Sequence, residues 1–320
     1  MTTLLAITEL APTSQGSSKE LEFEFLNNFE SVHTRKAYKR DILSFIDFFQ
    51  IVLGLDNLKS CSRLHLVAYK EYLGNSTYTP KTINRRMSSI SSYFQFLMEK
   101  GFLDFNPADG VRRPKQNVSK ETNDLTDDEV VQLFDVISKA ASPLHRAILI
   151  TFFTTGIRKS ELIEIKLSDL QEINGEMTLR IKAKGGKILL KFLIPECHKA
   201  IYDYIQFMKI QGREIDNNDW IFQPSINPKE PSNVTRPLVP SSIDYIFKKY
   251  CKLAGITKSV SPHSARATYI GSSLQGGAEL LKVSKDVGHS SVKTTESYNK
   301  RRNTIKDSPA RNLGFIKRAN

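Results

Sequence analysis

The sequence predicts a mainly helical α+β protein in two domains, with a small β-hairpin sheet in the second domain. Three observations lead to this expectation. Apolar residues recur at helical spacing through most of the chain, with Ser, Thr, Pro and Gly where helices begin and end. Segment 177–195 alternates apolar and basic residues before a Gly-Gly pair, which is typical of a hairpin. A polar stretch at 107–124 separates the two regions.

The first folded region is expected at 19–106, after a loosely ordered arm at 1–18. Its second helix is predicted to begin at Thr34 as N-cap, because apolar residues follow at helical spacing. Its fourth helix, at about 80–100, starts with a proline, carries an apolar stripe and stops at Gly101. These segments predict a small, all-helical domain.

Basic residues crowd the first turns of these two helices. Arg35 and Lys36 open the second helix, and Lys81, Arg85 and Arg86 open the fourth. On a single helix such a cluster usually indicates a solvated face. Two basic helix ends in one small domain, with no acidic stripe evident in the sequence to pair them, favour contact with DNA.

The second domain is expected at 125–320, after a linker at 107–124 that holds two prolines and lacks apolar periodicity. Its first helix is predicted to start with a capping box, in which Thr126 is the N-cap and Glu129 the third helical residue. Most of the segments that follow have helical patterns.

The exception is the hairpin, which is predicted to turn at Gly185-Gly186. Lys184 and Lys187 flank these glycines, where a flexible ammonium group can reach a bound phosphate. A lone turn lysine is at least as often an ordinary solvated residue. The apolar positions of the first strand are Leu179, Ile181 and Ala183.

Charge and composition narrow the class of partner. The chain has 46 Lys and Arg against 34 Asp and Glu, a net charge of +12, which favours an anionic partner. No stretch approaches the roughly 18 apolar residues that a membrane-spanning helix needs, so nucleic acid is the leading partner. The three cysteines are far apart and form no C-x-x-C pair, which predicts a reducing cytoplasm without disulfides.

Four separated motifs carry side chains suited to phosphate chemistry, and each is weak alone. Arg158 lies in TGIRKSEL, and the hairpin lysine follows it. His263 and Arg266 lie three residues apart in SPHSAR, on one helix face if Pro262 opens the helix. His289 and Tyr298 lie nine residues apart in GHSSVKTTESY.

In this order and spacing, the motifs resemble the tyrosine recombinase family. TGIRKSEL, the GGK hairpin and GHSSVKTTESY are similar to its signature boxes, and VHTRKAYKRD and KTINRR are similar to its N-terminal domain. The resemblance runs from about residue 20 to the end and is greatest to Xer-type and phage integrase-like recombinases. It implies a SAM-like core-binding domain followed by the recombinase catalytic domain.

The resemblance also implies how the site holds a phosphate. Arg158 and Arg266 are implied to bind the nonbridging oxygens, whose charge grows in the pentacoordinate transition state. Guanidinium suits this task because it is always charged and presents a planar fork of donors. His289 is implied to hydrogen-bond the same phosphate.

The remaining implied roles are nucleophile, base and acid. Tyr298 attacks the phosphorus and forms a 3′-phosphotyrosyl bond, His263 takes its proton, and Lys184 protonates the leaving 5′-oxygen. Because the phosphotyrosyl bond keeps the energy of the broken bond, neither ATP nor a metal is expected. The carboxylates are scattered along the sequence and form no clear acidic cluster, which is consistent with a site that needs no metal. No cofactor is therefore predicted.

Two further expectations concern partners. The resemblance implies double-stranded DNA at specific sites, and a tetramer on two sites in which the tail at 310–320 packs into the neighbouring protomer. The tail's apolar cluster of Leu313, Phe315 and Ile316 could instead fold back on its own domain.

Two other functions stay open from the sequence. A type IB topoisomerase shares the nucleophile and much of the cation set, and would relax supercoils without exchanging strands between sites. The basic N-terminal helices favour recombination. A noncatalytic DNA-binding regulator of the same fold is the second alternative, and the presence of all six required residue types argues against it.

Overall fold

The computed structural model describes residues 18–115, 123–183, 185–225 and 234–298. The chain divides into two compact units, residues 1–120 and 121–320. Within the described ranges, none of the helices has the length and apolar character required to cross a membrane.

The N-terminal unit is helical, and its second helix begins earlier than predicted. Ser31, with an extended backbone, is the N-cap, and its hydroxyl accepts the Thr34 N–H at 3.4 Å. The prediction of Thr34 as N-cap is therefore wrong, because a hydroxyl three residues upstream already satisfies that amide. The helices are α1 (Ser18–Asn27), α2 (Val32–Asp47) with a π-helical extension (Phe48–Val52), a 3₁₀ turn (Leu58–Ser60), α3 (Arg63–Gly74) and α4 (Pro80–Glu99).

Aromatic side chains form the centre of this unit's core. Phe45 of α2 meets Tyr69 of α3 and Phe94 of α4 edge to face, with ring centroids 5.1 and 5.5 Å apart. Ala108 and Val111 are buried in the same core. The polar segment expected to link the domains thus starts inside the folded unit.

The C-terminal unit is built around α6 (Pro143–Thr155), in which eight of 13 residues are buried. The capping box predicted at the start of the unit's first helix is confirmed. Thr126 Oγ1 accepts the Glu129 N–H at 3.3 Å, and Glu129 Oε2 accepts the Thr126 N–H at 2.7 Å. The other helices are α5 (Asp127–Ala140), α7 (Lys159–Ile163), a 3₁₀ turn (Leu167–Asp169), α8 (Pro195–Ile210), α9 (Pro240–Leu253), α10 (Pro262–Gln275), α11 (Leu280–Asp286) and α12 (Val292–Glu296).

A three-stranded antiparallel sheet carries the hairpin. Strands β2 (Glu176–Lys182) and β3 (Ile188–Phe192) pair as predicted, and Gly185 and Gly186 turn with φ of +77° and +74°. The sequence analysis missed β1 (Leu170–Ile173), which pairs with β2. The turn between them, Asn174-Gly175, has positive φ at both residues and was a readable hairpin signal.

Candidate active site

Arg158 is held at the start of α7 by a carboxylate and a carbonyl. The chain leaves α6 at Gly156 with φ of +61°, and Arg158 becomes the N-cap of α7. One terminal nitrogen of its guanidinium donates to Glu161 Oε1 at 2.6 Å and the other to the Gly288 carbonyl at 3.2 Å. Its side chain is 34% exposed, so the oriented group still faces solvent.

Arg266 projects from α10 and is almost fully buried. Its two terminal nitrogens donate to the carbonyls of Gly156 at 2.7 Å and Val287 at 2.5 Å. Burial, and then the charge of Arg158, lower the pKa of Arg266 to about 10, so the group is still cationic at neutral pH. These two bonds fix the plane of the guanidinium, and they use only some of its five N–H donors.

Tyr298 and His263 lie within hydrogen-bond reach. The Tyr298 hydroxyl is 3.2 Å from His263 Nε2, and the rings meet edge to face. Burial raises the pKa of Tyr298, while the charges of Arg266 and Arg158 act in the opposite direction. The same two cations that suit a phosphate therefore also favour the phenolate.

His289 follows α11 and stacks near Tyr298, with ring centroids 6.0 Å apart and planes at 19°. Its Nδ1 is hydrogen-bonded to the buried Thr295 hydroxyl at 2.8 Å. Burial, followed by the charges of Arg266 and Arg158, lowers the pKa of His289 to about 4. The imidazole is neutral at physiological pH and can offer one N–H to an anion.

The structure thus brings five of the six predicted catalytic residues together, and Lys184 lies outside the described residues. A cleft of about 360 Å³ opens beside Arg158, His263 and Arg266. Lys159 and Asp244 also line this cleft, where they form an ion pair at 2.8 Å. Sequence reasoning missed both residues, because an ion pair between positions 85 apart has no recognisable spacing.

The five basic residues predicted to contact DNA from the N-terminal unit differ in exposure and in bonding. Lys36 and Lys81 are exposed. Arg35 is half-buried and donates to nearby polar oxygens. Arg85 is 43% exposed in its side chain but forms a two-pronged ion pair with Asp41.

Arg86 requires a correction. It is buried, donates to the hydroxyls of Ser44 at 3.0 Å and Tyr78 at 2.9 Å, and lies over the Tyr78 ring. Asp41, which is fully buried, supplies the acidic partner that the sequence analysis did not find. Arg86 is therefore an internal residue and is not placed to contact DNA.

A metal-dependent site is the other chemical possibility for phosphate transfer. Among the residues that the structure describes, no group of three or more His, Cys, Asp or Glu side chains is arranged to hold a metal ion. What the described site offers instead is two oriented guanidiniums and one imidazole that line the cleft, with the Tyr298 phenol beside His263 and the His289 imidazole beside Tyr298. Such a set can hold a phosphate and pass one proton from a nucleophile.

Two family models match the chain. The phage integrase family model covers residues 123–304, and the phage integrase N-terminal SAM-like domain covers residues 23–101. Similar curated proteins include tyrosine recombinase XerC of Thermodesulfovibrio yellowstonii, 26% identical, and tyrosine recombinase XerD of Listeria monocytogenes serotype 4b, 25% identical. These alignments cover 86% and 87% of this chain and 89% and 91% of the relatives.

Solved structures with the same fold include two recombinases on DNA. A XerH site-specific recombinase bound to a palindromic difH substrate, in a post-cleavage complex, matches with a TM-score of 0.70 at 18% identity. It covers 90% of this chain and 88% of that one. A lambda integrase dimer, residues 75–356, bound to a COC′ core site matches with a TM-score of 0.65 at 17% identity, covering 89% and 94%.

Proposed function

The chain belongs to the phage integrase family, and from this premise we propose that Tyr298 is the nucleophile of a site-specific recombinase. Enzymes of this family are tyrosine recombinases, which break and rejoin DNA. The observation that carries the assignment is the 3.2 Å contact between the Tyr298 hydroxyl and His263 Nε2, beside two arginines. A nucleophile paired with a base and flanked by anion-binding groups is the arrangement that strand cleavage requires.

In the cleavage step, the Tyr298 oxygen attacks the scissile phosphorus. The new oxygen–phosphorus bond forms as the bond to the 5′-oxygen breaks, and the Tyr298 proton passes to His263 Nε2. The product is a 3′-phosphotyrosyl bond and a 5′-hydroxyl, whose proton we assign to Lys184. Attack by a 5′-hydroxyl from the partner strand reverses these transfers and rejoins the DNA without an external energy source.

Arg158 and Arg266 serve the phosphate in this step. Negative charge grows on the nonbridging oxygens, and fixed cations in a partly buried site stabilise it without reorganising. The bonding of Arg266 supports this role, since two neutral carbonyls fix its guanidinium without cancelling its charge. Arg158 is held by one carbonyl and by the Glu161 carboxylate, and its side chain remains partly exposed. His289 is neutral and adds a hydrogen bond to the same phosphate.

A cleavage assay on a nicked substrate tests the assignment of the nucleophile. Tyr298→Phe should bind its DNA site within about threefold of wild type but form no covalent complex, because only the attacking oxygen is lost. Tyr202→Phe is the matched control, since Tyr202 is an exposed tyrosine of the same unit. A protease-sensitive covalent complex in the Tyr298→Phe sample would refute the assignment.

The partner we propose is double-stranded DNA at specific sites, bound by both units. In the N-terminal unit the contacts fall to Lys36 and Lys81, which are exposed, and to Arg35 and Arg85, which keep a partly exposed face. Arg86 drops out of this set because it is buried. The family match to the SAM-like N-terminal domain supports a DNA role for this unit.

We further propose that four protomers assemble on two DNA sites through the tail at 310–320, which lies outside the described residues. The support is its sequence, in which Leu313, Phe315 and Ile316 form an apolar cluster among basic residues. A head-to-tail contact closes into a ring when the rotation between neighbouring protomers divides a full turn, and we propose such a closed ring of four. Deleting 310–320 should leave half-site binding intact but weaken cooperative filling of the full site and stop strand exchange.

Two outcomes would redirect this proposal. Unfolding of the truncated chain, or recombination at the wild-type rate, would mean that the tail is not an intersubunit element. Relaxation of supercoiled plasmid by the full chain, with no exchange between two sites, would indicate a type IB topoisomerase activity.

A further inference from the structure

Strand β3 buries a charged side chain and exposes apolar ones, which is the opposite of an ordinary edge strand. Its apolar residues Ile188, Leu190 and Phe192 are exposed by about half, whereas Lys191 between them is only 1% exposed. An ammonium group placed in a protein interior needs a partner, and a well-packed apolar residue would usually be at least as stable there. Packing alone therefore does not explain a lysine at position 191.

The partners of Lys191 form a compact cluster. Its Nζ donates to Asp286 Oδ2 at 2.6 Å, and the Tyr269 hydroxyl donates to the same oxygen at 3.0 Å. The ammonium also lies 5.5 Å from the centre of the Tyr269 ring. Asp286 thus joins strand β3 to helix α10 from its place at the end of α11.

The three backbone carbonyls that accept from the active-site arginines all adjoin this cluster. Asp286 immediately precedes Val287 and Gly288, whose carbonyls accept from Arg266 and Arg158. The Tyr269 ring packs so closely on Gly156 that a Cβ there would lie 2.4 Å from Tyr269 Cδ1. Gly156 supplies the third carbonyl, which accepts from Arg266.

We propose that Lys191 is a positioning residue for strand cleavage, which acts with Asp286 and Tyr269. Its bond to Asp286 fixes the three carbonyls of Gly156, Val287 and Gly288, and these orient the two guanidiniums toward the scissile phosphate. This proposal rests on the proposed function. The ion pair between Lys191 and Asp286 holds the backbone after Asp286 in one position. An apolar contact would hold it less specifically.

The first test is Lys191→Met, which keeps the length of the side chain and removes the ammonium. Single-turnover cleavage should fall on the order of 10- to 100-fold, the effect of displacing catalytic groups by a fraction of an ångström to one ångström. Half-site binding should stay within about threefold. The matched control is Lys258→Met, because Lys258 pairs with Glu129 at 2.6 Å in the same unit; it should cleave at the wild-type rate.

The second test asks whether the defect acts through the arginines. A methylphosphonate at the scissile position is neutral, so less arginine charge is required in its transition state. The deficits of Lys191→Met and of Arg266→Ala should both shrink on this substrate. An equal Lys191→Met deficit on both substrates would overturn the proposal, because a general loss of folding does not depend on phosphate charge.

A double variant covers the case in which Lys191→Met alone folds poorly. Lys191→Met with Asp286→Asn leaves no unpaired buried charge, and the amide oxygen can still accept from Tyr269. It should recover thermal stability and remain slow in cleavage. Cleavage at the wild-type rate would overturn the proposal, whereas absence of a covalent complex in the wild-type protein would instead refute the proposed function itself.

Discussion

The two units each contain a pair of arginines that the sequence marks as phosphate ligands, and the two pairs are bonded differently. In the N-terminal unit, Asp41 is fully buried, binds Arg85 through both oxygens and lies near Arg86. In the C-terminal unit, Arg266 is bonded to two neutral carbonyls. The first arrangement neutralises charge inside a helical core, and the second keeps charge beside an open cleft.

This difference shows what a basic motif in a sequence does and does not establish. Both pairs consist of the same residue type, but a guanidinium that is bonded to a carboxylate has less charge left for an external anion than one that is bonded to neutral carbonyls. Arg158 is intermediate, because it bonds both Glu161 and the Gly288 carbonyl. The bonding partner, more than the density of basic residues, separates a structural arginine from a functional one.

The largest effect is expected at Arg266. Replacing it with Ala should lower the cleavage rate by about 10²–10³-fold, the usual loss when one stabiliser of a transition-state charge is removed. Site binding should change little because the other cations proposed to contact phosphates remain. Single-turnover cleavage and a binding isotherm check this, and undiminished cleavage would remove Arg266 from the site.

Asp41→Asn tests the N-terminal half of the comparison. The change leaves two arginines without their carboxylate, which should lower the free energy of unfolding of this unit by roughly 2–3 kcal/mol. Breaking a fully buried pair costs about 3–5 kcal/mol, and the loss here is smaller because Arg85 is partly exposed. Hydrogen exchange of the α2 and α4 amides reports the loss. Asp47→Asn, an exposed site on the same helix, should leave exchange unchanged.

Gly156→Ala tests whether the carbonyls that hold Arg266 need their local geometry. The change combines a positive φ with a clash against Tyr269, so we expect a loss of about 1–3 kcal/mol and slower cleavage. Gly255→Ala is the control, since Gly255 also has a positive φ but a Cβ there would meet no other atom within 4 Å. Equal cleavage by the two variants would contradict a role for the Gly156 carbonyl.

Salt dependence separates exposed from internal cations in the N-terminal unit. Replacing Lys36 and Lys81 with Gln should weaken DNA binding and reduce the slope of log K against log salt by about one for each phosphate that is no longer neutralised. Arg86→Gln should lower stability and leave the slope unchanged. An unaltered slope in the double variant would return both lysines to the solvated-face interpretation.

The smallest effect is expected on the pH dependence of stability that His289 contributes. Its folded pKa of about 4 lies below the ordinary value of 6.5, so the unfolded chain binds a proton first as pH falls. Stability contributed by the neutral ring is complete above about pH 6.5 and is lost progressively toward pH 4. The melting temperature of the free protein should therefore fall more between pH 7 and pH 5 than that of His289→Asn, and parallel curves would contradict this.

Local signals in the sequence predicted much of the fold. The Thr126 capping box, the Gly185-Gly186 hairpin and the Pro262 helix start depend on residues a few positions apart, and the structure confirms all three. Strand β1 was missed because four residues carry little periodicity. Its turn at Asn174-Gly175 was the better signal.

Long-range bonds explain what the sequence did not predict. Asp41 lies 44 residues from Arg85, and Lys191 lies 95 residues from Asp286, so neither pair has a recognisable spacing. Lys191 was also hidden in an otherwise apolar strand. The carbonyls that orient Arg266 leave no side-chain signature at all, because any residue type supplies one.

The 3.2 Å contact of Tyr298 with His263 has a genetic consequence, because both residues and both arginines come from one chain. On the proposed assignment, the nucleophile and the arginines that serve it belong to one protomer. In a cell with wild-type and Tyr298→Phe alleles, each mutant protomer should therefore fail to cleave, and each wild-type protomer should keep a complete site. The mutant protomers should still occupy half-sites, since the proposed effect of the change spares binding. The Tyr298→Phe allele should therefore be dominant in proportion to its dosage, and no mixture with an Arg266→Ala allele should restore cleavage.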